Sequence, residues 1–240
     1  MDHILKVDGY NISYSDLGKG HVVIFLHGWG TSKDTYADLI DILSEKYRCI
    51  GIDLPGFGKS DIIDDLTLAR ISRILNKLIR KIGIKKFYLI GHSLGGAVAL
   101  VYASRYQVKI DKLVLISPFI TFKQFSRSLL YLIVNVIPFL INRILKLKRP
   151  NMRAVNAIRI VYYLSSIDLY KVLRKVRKDI LFVYGIRDSL LSIKPIEPIF
   201  GVLNNIHLAI FEDVRHFIFS FNSRELAEKI DLFFSRDTVQ

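Results

Sequence analysis

The stretch FYLIGHSLGGAVAL, residues 87–100, places the pattern Gly-x-Ser-x-Gly between an apolar run and a helix-forming one. Residues 87–90 predict a buried strand, and residues 95–105 predict a helix. A sharp turn between a strand and a helix raises a serine hydroxyl above the sheet, where a substrate can reach it. Ser93 is therefore predicted to be a nucleophile. The alternative is a serine that only caps a glycine-rich helix entry.

Short apolar runs alternate with helical patterns on both sides of this stretch, which is typical of βα units. We expect an α/β fold built on a mostly parallel sheet of about eight strands, with helices flanking it. A hairpin is expected around Asp8-Gly9, and helices are expected over residues 35–46 and 169–178.

The alternation stops between residues 119 and 167, where the sequence shows no clear strand pattern. An insertion of this length after one strand of a regular sheet is typical of a cap over an active site. We therefore predict a core formed by residues 1–118 and 169–240. A helical lid of residues 119–168 is predicted to follow the sixth strand.

A serine nucleophile needs a base, and the chain contains six histidines that could serve. His216 lies on a loop between the predicted strand 207–211 and the last helix. That loop belongs to the carboxyl edge of the sheet, where open parallel sheets bind ligands. His216 is therefore the predicted base. The remaining histidines are His3, His21, His207, and two that we interpret as packing or hydrogen-bonding residues of turns, His27 and His92.

An acid should orient that histidine, and Asp188 follows the strand predicted at residues 180–184, 28 residues before His216. A common alternative position is the end of the preceding strand, which here carries Ser117-Pro118 and no carboxylate. Asp53 also follows a strand, but its Asp-Leu-Pro-Gly setting predicts a structural turn. Asp188 is therefore the predicted orienting acid.

Two backbone amides are expected to hold the oxyanion that forms when the serine attacks a carbonyl. One is the amide of Leu94, directly after the predicted nucleophile. The other is expected from the turn His27-Gly28-Trp29-Gly30, in which Trp29 is placed to donate its amide and the glycines allow close approach. This chemistry needs no metal and no organic cofactor.

Taken together, these motifs resemble the α/β-hydrolase superfamily, and the resemblance covers nearly the whole chain outside the predicted lid. The order Ser93, Asp188, His216 is also the order of that superfamily. Arg215 departs from the pattern, since relatives often have glycine before the base. The motifs are His27-Gly28-Trp29-Gly30, Asp53-Leu54-Pro55-Gly56-Phe57-Gly58, Gly91-His92-Ser93-Leu94-Gly95-Gly96, Gly185-x-x-Asp188 and His216.

In length and layout the chain is similar to small serine carboxylesterases and lipase-like enzymes. Pimeloyl-acyl-carrier methyl ester esterases and monoacylglycerol-lipase-like enzymes are among them. The resemblance implies hydrolysis of a carboxylic ester through an acyl-enzyme, and the apolar lid favours an apolar acyl substrate. Carbon–carbon hydrolases of aromatic ring-cleavage pathways share the triad and stay an alternative. A non-catalytic ligand-binding protein on the same fold is a second alternative.

The formal charge of +13 is concentrated in one segment. Residues 122–178 contain thirteen Lys or Arg and one acid, a net +12, which leaves about +1 for the other residues. Such a segment would attract an anionic membrane surface or an acidic carrier protein. The alternative is a solvated basic face. Nucleic acid is not favoured, because no aromatic residues alternate with the cations.

The remaining composition indicates a globular cytoplasmic protein, peripheral to a membrane if the basic lid binds lipid. The hydrophobic fraction is 51%, and a single cysteine, Cys49, excludes an intramolecular disulfide. Residues 1–6 lack a basic flank followed by an apolar run, so no secretory signal is expected. The apolar stretch 129–145 is interrupted by polar residues and falls short of the roughly 20 residues of a membrane span. It predicts a lid helix.

Overall fold

The computed structural model describes residues 2–125, 168–220 and 222–236. Within them eight strands form one sheet in the order β1-β2-β4-β3-β5-β6-β7-β8. β2 pairs antiparallel with β1 and β4, and every other pair is parallel. The expected α/β fold with a mostly parallel sheet is confirmed. The strands are β1 Asp2–Val7, β2 Tyr10–Leu17, β3 Val22–Leu26, β4 Arg48–Ile52, β5 Phe87–His92, β6 Ile110–Ile116, β7 Ile180–Gly185 and β8 Ile206–Phe211.

Helices cover both faces of the sheet, because successive side chains of its buried strands point to opposite sides. In β3, Ile24 and Leu26 join the core formed with α2 and α3, whereas Val23 and Phe25 join the core formed with α1 and α6. The α-helices among the described residues are α1 Ala37–Leu43, α2 Leu68–Lys81, α3 Leu94–Tyr106, α4 Tyr170–Leu173, α5 Glu197–Phe200 and α6 Ser223–Ser235. Short 3-10 turns are Lys33–Tyr36, Gln107–Lys109, Phe122–Gln124 and Ile218–Ser220.

The N-terminal hairpin turns at Asp8 and Gly9, as predicted. Both residues have positive φ, +50° and +91°. A two-residue hairpin turn of type I′ requires this conformation, which Asp and Gly adopt readily. The turn brings Val7 opposite Tyr10 and sets the register of β1 on β2.

Two helix predictions were wrong in extent. The helix expected over residues 35–46 begins as the 3-10 turn Lys33–Tyr36 and continues as α1, which ends at Leu43. The helix expected over residues 169–178 is the single turn α4. Beyond it, the side-chain amide of Asn205 donates to the carbonyl oxygens of Val176 and Lys178 at 3.0 and 2.7 Å. That contact holds the backbone in a non-helical path toward β7.

The predicted lid, residues 119–168, and its expected helix at 129–145 lie largely or wholly outside the described residues. The lid therefore stays a prediction. Its described ends lie together, since Thr121 pairs with Asp168 in an isolated β-bridge and Leu169 N donates to Ile120 O at 2.8 Å. The chain thus leaves and re-enters the described core at one place beyond the carboxyl end of β6. Among the described helices, none has the length and apolar character to cross a membrane.

Candidate active site

Ser93 occupies a strained turn between β5 and α3. Its φ and ψ of 53° and −114° lie outside the regions that L residues normally adopt. Within the described part of the chain its side chain makes no capping hydrogen bond, so the contact expected of a capping serine is missing. Ser93 is partly exposed, whereas His92 and Leu94 on either side are buried. The turn therefore presents the serine hydroxyl outward.

Two glycines of this turn allow the close packing that places it. A Cβ on Gly91 would lie 2.5 Å from the carbonyl oxygen of Gly95. A Cβ on Gly95 would lie 2.1 Å from the carbonyl oxygen of Leu26, the last residue of β3. The start of α3 is therefore pressed directly against the end of β3.

The two predicted oxyanion donors lie beside the same turn. Leu94 is the first residue of α3, where backbone N–H groups have no acceptor within the helix and favour negative charge. On the other side, a Cβ on Gly28 would lie 3.4 Å from the Cβ of Ser93. Trp29 follows directly in the chain and is 45% exposed. The role of both amides as oxyanion donors stays a prediction.

His27 anchors this oxyanion loop, defined as residues 27–30, to the turn after β4. The ring accepts the amide hydrogen of Leu54 at Nε2, 3.0 Å away, and Nδ1 donates to the carbonyl of Gly28 at 2.8 Å. Burial lowers the pKa of His27, so the ring is neutral and has one donor and one acceptor nitrogen. Its expected hydrogen-bonding role is confirmed.

His216 and Asp188 are brought together as predicted. His216 Nδ1 lies 2.8 Å from Asp188 Oδ2, and both side chains are buried. The other carboxylate oxygen, Oδ1, accepts the amides of Leu190 and Leu191, each at 2.9 Å. Burial acts to raise the pKa of Asp188. The hydrogen bond from His216, the charge of the His216 ring and the Leu191 amide act in the opposite direction and together outweigh burial, so the pKa is lowered. The ionised carboxylate accepts Nδ1–H and leaves His216 Nε2 as the basic nitrogen.

Gly185 allows the loops of the acid and the base to meet. A Cβ on Gly185 would lie 2.1 Å from the carbonyl oxygen of Val214. The amide of Arg187 donates to that carbonyl at 3.1 Å. The chain after β7 and the chain before His216 are therefore in backbone contact.

Among the described residues, no hydrogen bond joins Ser93 Oγ to the His216 ring. The turn and the base are linked instead through His92. Its Nε2 lies 3.0 Å from the carbonyl oxygen of His216, and the two rings are 4.6 Å apart. Apart from the position of His92 next to Ser93, no sequence pattern predicts this contact.

The structure shows the surroundings of Ser117 and Arg215, two further positions discussed from the sequence. Ser117 is fully buried at the end of β6, and its side chain also helps to lower the pKa of Asp188. Arg215 is exposed and has no left-handed φ. Because the backbone before His216 is not left-handed, this loop closes without the glycine found in relatives.

The other candidates lie elsewhere. Asp53 is buried in a structural turn, as expected: its carboxylate accepts the amides of Lys33 and Lys59 at 2.8 and 3.0 Å. His3 stacks on Tyr14 in β2, His21 pairs with Asp111 at 3.2 Å, and His207 packs near Phe233. In the part of the chain that the structure describes, no cluster of three or more His, Cys, Asp or Glu side chains could hold a metal ion.

Exposed apolar side chains occur on each of the loops that carry the assembled residues. Trp29 belongs to the oxyanion loop, Ile186 and Leu190 flank Asp188, and Phe217 follows His216. The Phe217 ring stands edge-on to the His216 ring at 5.4 Å. We call these four residues the apolar rim.

Comparisons with known proteins agree with this arrangement. The family model described as alpha/beta hydrolase fold matches residues 21–157. A 2-hydroxy-6-oxo-6-phenylhexa-2,4-dienoate hydrolase from Comamonas testosteroni is 34% identical over 113 residues, which cover 45% of this chain and 40% of that protein. The chain thus matches less than half the length of such curated relatives.

Two solved structures have the same fold. An esterase from Exiguobacterium antarcticum superposes with a TM-score of 0.82 at 21% identity and covers 98% of this chain and 100% of its own. A membrane phospholipase A, a bacterial virulence factor, superposes with a TM-score of 0.80 at 23% identity, over 98% of this chain and 85% of its own. The family model covers more than half of the chain, and the sheet and the serine turn agree with it. The chain therefore belongs to the alpha/beta hydrolase fold family.

Proposed function

We propose that this protein is a serine hydrolase that cleaves carboxylic esters through an acyl-enzyme intermediate. The observation that carries the proposal is the buried hydrogen bond of 2.8 Å between His216 and Asp188, at the same sheet edge as the strained Ser93 turn. A carboxylate that fixes the imidazole leaves its second nitrogen free to accept a proton. A serine hydroxyl, weak by itself, needs such a base.

In the proposed reaction each of these groups has a defined step. Ser93 Oγ attacks the carbonyl carbon of the ester while His216 Nε2 takes its proton. Asp188 stabilises the imidazolium cation, and the amides of Trp29 and Leu94 hold the tetrahedral oxyanion. His216 then protonates the departing alcohol. Water, activated by His216, attacks the acyl-enzyme, releases the acid and restores Ser93.

The apolar rim supports an ester with an apolar acyl group. Trp29, Ile186, Leu190 and Phe217 expose apolar surface on the three loops that carry the oxyanion turn, Asp188 and His216. Apolar side chains that lie together at a site bind apolar ligand groups by removing them from water. A panel of nitrophenyl esters from acetyl to palmitoyl should show rising kcat/KM beyond the acetyl ester. A preference for acetyl over every longer chain would contradict the acyl assignment.

The serine itself is tested by Ser93→Ala. Loss of the nucleophile should lower ester turnover by a factor on the order of 10³ or more and abolish labelling by a fluorophosphonate probe. Ser104→Ala, at the opposite end of α3, serves as the matched control and should retain both. Ester turnover retained by Ser93→Ala would contradict the proposal. A wild-type protein that neither turns over esters nor reacts with the probe would support the non-catalytic ligand-binding alternative.

A carbon–carbon hydrolase is the second candidate, because one relative with 34% identity over 113 residues is a dienoate hydrolase. A dienoate substrate carries a carboxylate, which a cation in the site would have to bind. Arg187, in an exposed ion pair with Asp213 at 2.8 Å, and the exposed Arg215 are cations next to Asp188 and His216 in the chain. Turnover of a 2-hydroxy-6-oxo-dienoate with a higher kcat/KM than any ester of the panel would favour this second candidate.

A further inference from the structure

His92 contacts both the loop that carries His216 and the oxyanion loop, although it takes no part in the proton transfers of the proposed reaction. It is the last residue of β5, directly before Ser93, and is 1% exposed. The sequence pattern Gly-x-Ser-x-Gly places no demand on the position directly before the serine. The contacts of the side chain therefore have to explain why a polar ring is buried there.

The first contact is with the base. His92 Nε2 lies 3.0 Å from the carbonyl oxygen of His216. A carbonyl oxygen can only accept, so Nε2 carries the proton and donates it. This hydrogen bond joins residues 124 positions apart and ties the nucleophile turn directly to the backbone of the base.

The second contact is with the oxyanion loop. A Cβ on Gly28 would lie 2.8 Å from His92 Nδ1 and 3.2 Å from Cε1, so the ring lies against the glycine. The rings of Phe217 and Phe219, at 5.4 and 4.8 Å, pack on the same imidazole. The orientation of the His92 ring is therefore fixed by groups on the oxyanion loop and on the segment that begins at His216.

The ring is also held in one protonation state. Burial lowers the pKa of His92 well below its ordinary value, and the nearby His216 lowers it further. The neutral ring keeps its donor on Nε2. It also adds no positive charge beside a base that must become a cation during the reaction.

Packing alone does not account for a histidine here. His92 Nδ1 is buried and has no hydrogen-bond partner among the described residues. Burying an unpaired polar atom is unfavourable, and an apolar side chain would fill the same space without that penalty. The donor on Nε2 is the feature that an apolar side chain could not replace.

We propose that His92 is a positioning residue, which fixes the backbone of His216 and the oxyanion loop relative to Ser93. Its Nε2–H holds the His216 carbonyl, and its ring supports Gly28. This inference rests on the proposed function, because it concerns the placement of the same Ser93 and His216.

Two substitutions of similar length separate the donor from the packing. His92→Gln keeps an amide N–H at about the distance of Nε2, whereas His92→Met keeps the length and removes the donor. We expect Met to lower kcat for a nitrophenyl ester about tenfold, as loss of one hydrogen bond that acts in the transition state would. KM should stay within about twofold, and the acid limb of the pH profile should shift. Gln should retain kcat within about threefold of wild type.

A measurement without substrate makes the result independent of ester turnover. The ¹³C chemical shift of the His216 carbonyl, which accepts the His92 hydrogen bond, should be the same in wild type and His92→Gln and displaced in His92→Met. Thermal unfolding of each variant shows the folded fraction to which rates are normalised. Equal losses of kcat in both variants, with the His216 carbonyl shift unchanged, would show a merely structural role and overturn the proposal. If wild type hydrolyses no ester and resists the fluorophosphonate probe, the proposed function fails, while the NMR comparison still decides the role of His92.

Discussion

Gly185 sets how closely the loops of the acid and the base approach, since the Val214 carbonyl lies where its Cβ would be. Gly185→Ala should therefore force these loops apart. We expect the free energy of unfolding to fall by about 1–3 kcal/mol, as in other overpacked sites. Ester turnover should fall by more than the unfolded fraction explains. Gly201→Ala, whose Cβ would meet no atom within 4 Å, is the matched control for chemical denaturation and kinetics. Equal effects of the two substitutions would contradict this account.

Asp188 makes the stability of the folded protein depend on pH. Because hydrogen bonds and the charge of His216 lower its pKa in the folded protein, the carboxylate stabilises the fold above its unfolded pKa of about 3.9. That contribution is lost as pH falls from about 5 through the folded pKa. Asp188→Asn should lower kcat by a factor on the order of 10³–10⁴.

The stability effect of Asp188→Asn can be measured apart from its rate effect. The difference in unfolding free energy between wild type and variant, measured with urea, should be constant from pH 7 to about 5 and shrink below that. A difference that grows toward acid pH would show the opposite sign and contradict the lowered pKa. Asp213→Asn, which breaks the exposed ion pair with Arg187, should retain kcat and serves as the control.

Single residues differ in how far the sequence alone could place them. Ser93, Asp188 and His216 each follow a strand, so their presence at one sheet edge could be predicted from the order of strands and loops. The bond from His92 to the His216 carbonyl could not, because it depends on how two distant loops pack. The backbone conformation at Arg215 is likewise a property of the folded loop, and no local pattern shows that it avoids positive φ.

At the scale of elements, Lys112 caps the end of α6. It is buried in β6, and its ammonium group donates to the carbonyl oxygens of Phe233 and Phe234, at 2.8 and 3.3 Å, and to that of Arg236. The last carbonyls of a helix lack partners within it and attract a cation.

Lys112→Met should therefore destabilise the fold without affecting the site. We expect a loss of about 2–3 kcal/mol in the free energy of unfolding, because several buried carbonyls lose a charged donor. Esterase kcat/KM should stay unchanged below the unfolding temperature. Lys229→Met, in α6 itself, is the control. The partly exposed ammonium of Lys229 forms a surface pair with Glu225 and lies 5.5 Å from the centre of the Phe211 ring, so its loss should change stability by less than about 1 kcal/mol. A stable Lys112→Met would refute the capping role.

Elements with a strong local pattern were predictable, and those shaped by distant contacts were not. The buried strands and the helix after Ser93 follow from apolar runs and glycine positions. The end of α4 does not, because the side chain of Asn205 binds the carbonyls of Val176 and Lys178 from nearly 30 residues away. The start of the turn before α1 is a different case, because its signal is local. Ser32 accepts the Asp34 amide, so the first turn forms ahead of the expected start, which took no account of this cap.

At the scale of the whole molecule, the final part of the basic segment, residues 174–178, lies on the side of the sheet away from Ser93. Arg174, Lys175 and Arg177 are exposed and form no ion pair with any acid that the structure describes. Residues 126–167 contain no Asp or Glu that could neutralise them. β7 begins at Ile180, so these cations lie at the amino edge of the parallel strands. Ser93 lies at the carboxyl edge, after β5.

We expect these three cations to bind an anionic membrane surface without controlling entry of a water-dissolved ester. Reversal to glutamate at Arg174, Lys175 and Arg177 together should weaken binding to phosphatidylserine vesicles about 100-fold or more, since each cation near such a surface contributes about 1 kcal/mol. The kcat/KM for nitrophenyl acetate should stay the same, because the site lies at the other edge of the sheet. Reversal at Arg73, Lys194 and Arg224 makes the same change in net charge at exposed positions that do not directly precede a parallel strand and should weaken binding far less. Equal weakening by both triple variants would show that net charge alone attracts the vesicles, and unchanged binding in the first would place the membrane contact elsewhere. Binding of an acidic carrier protein in preference to vesicles would replace the membrane as the partner of this surface.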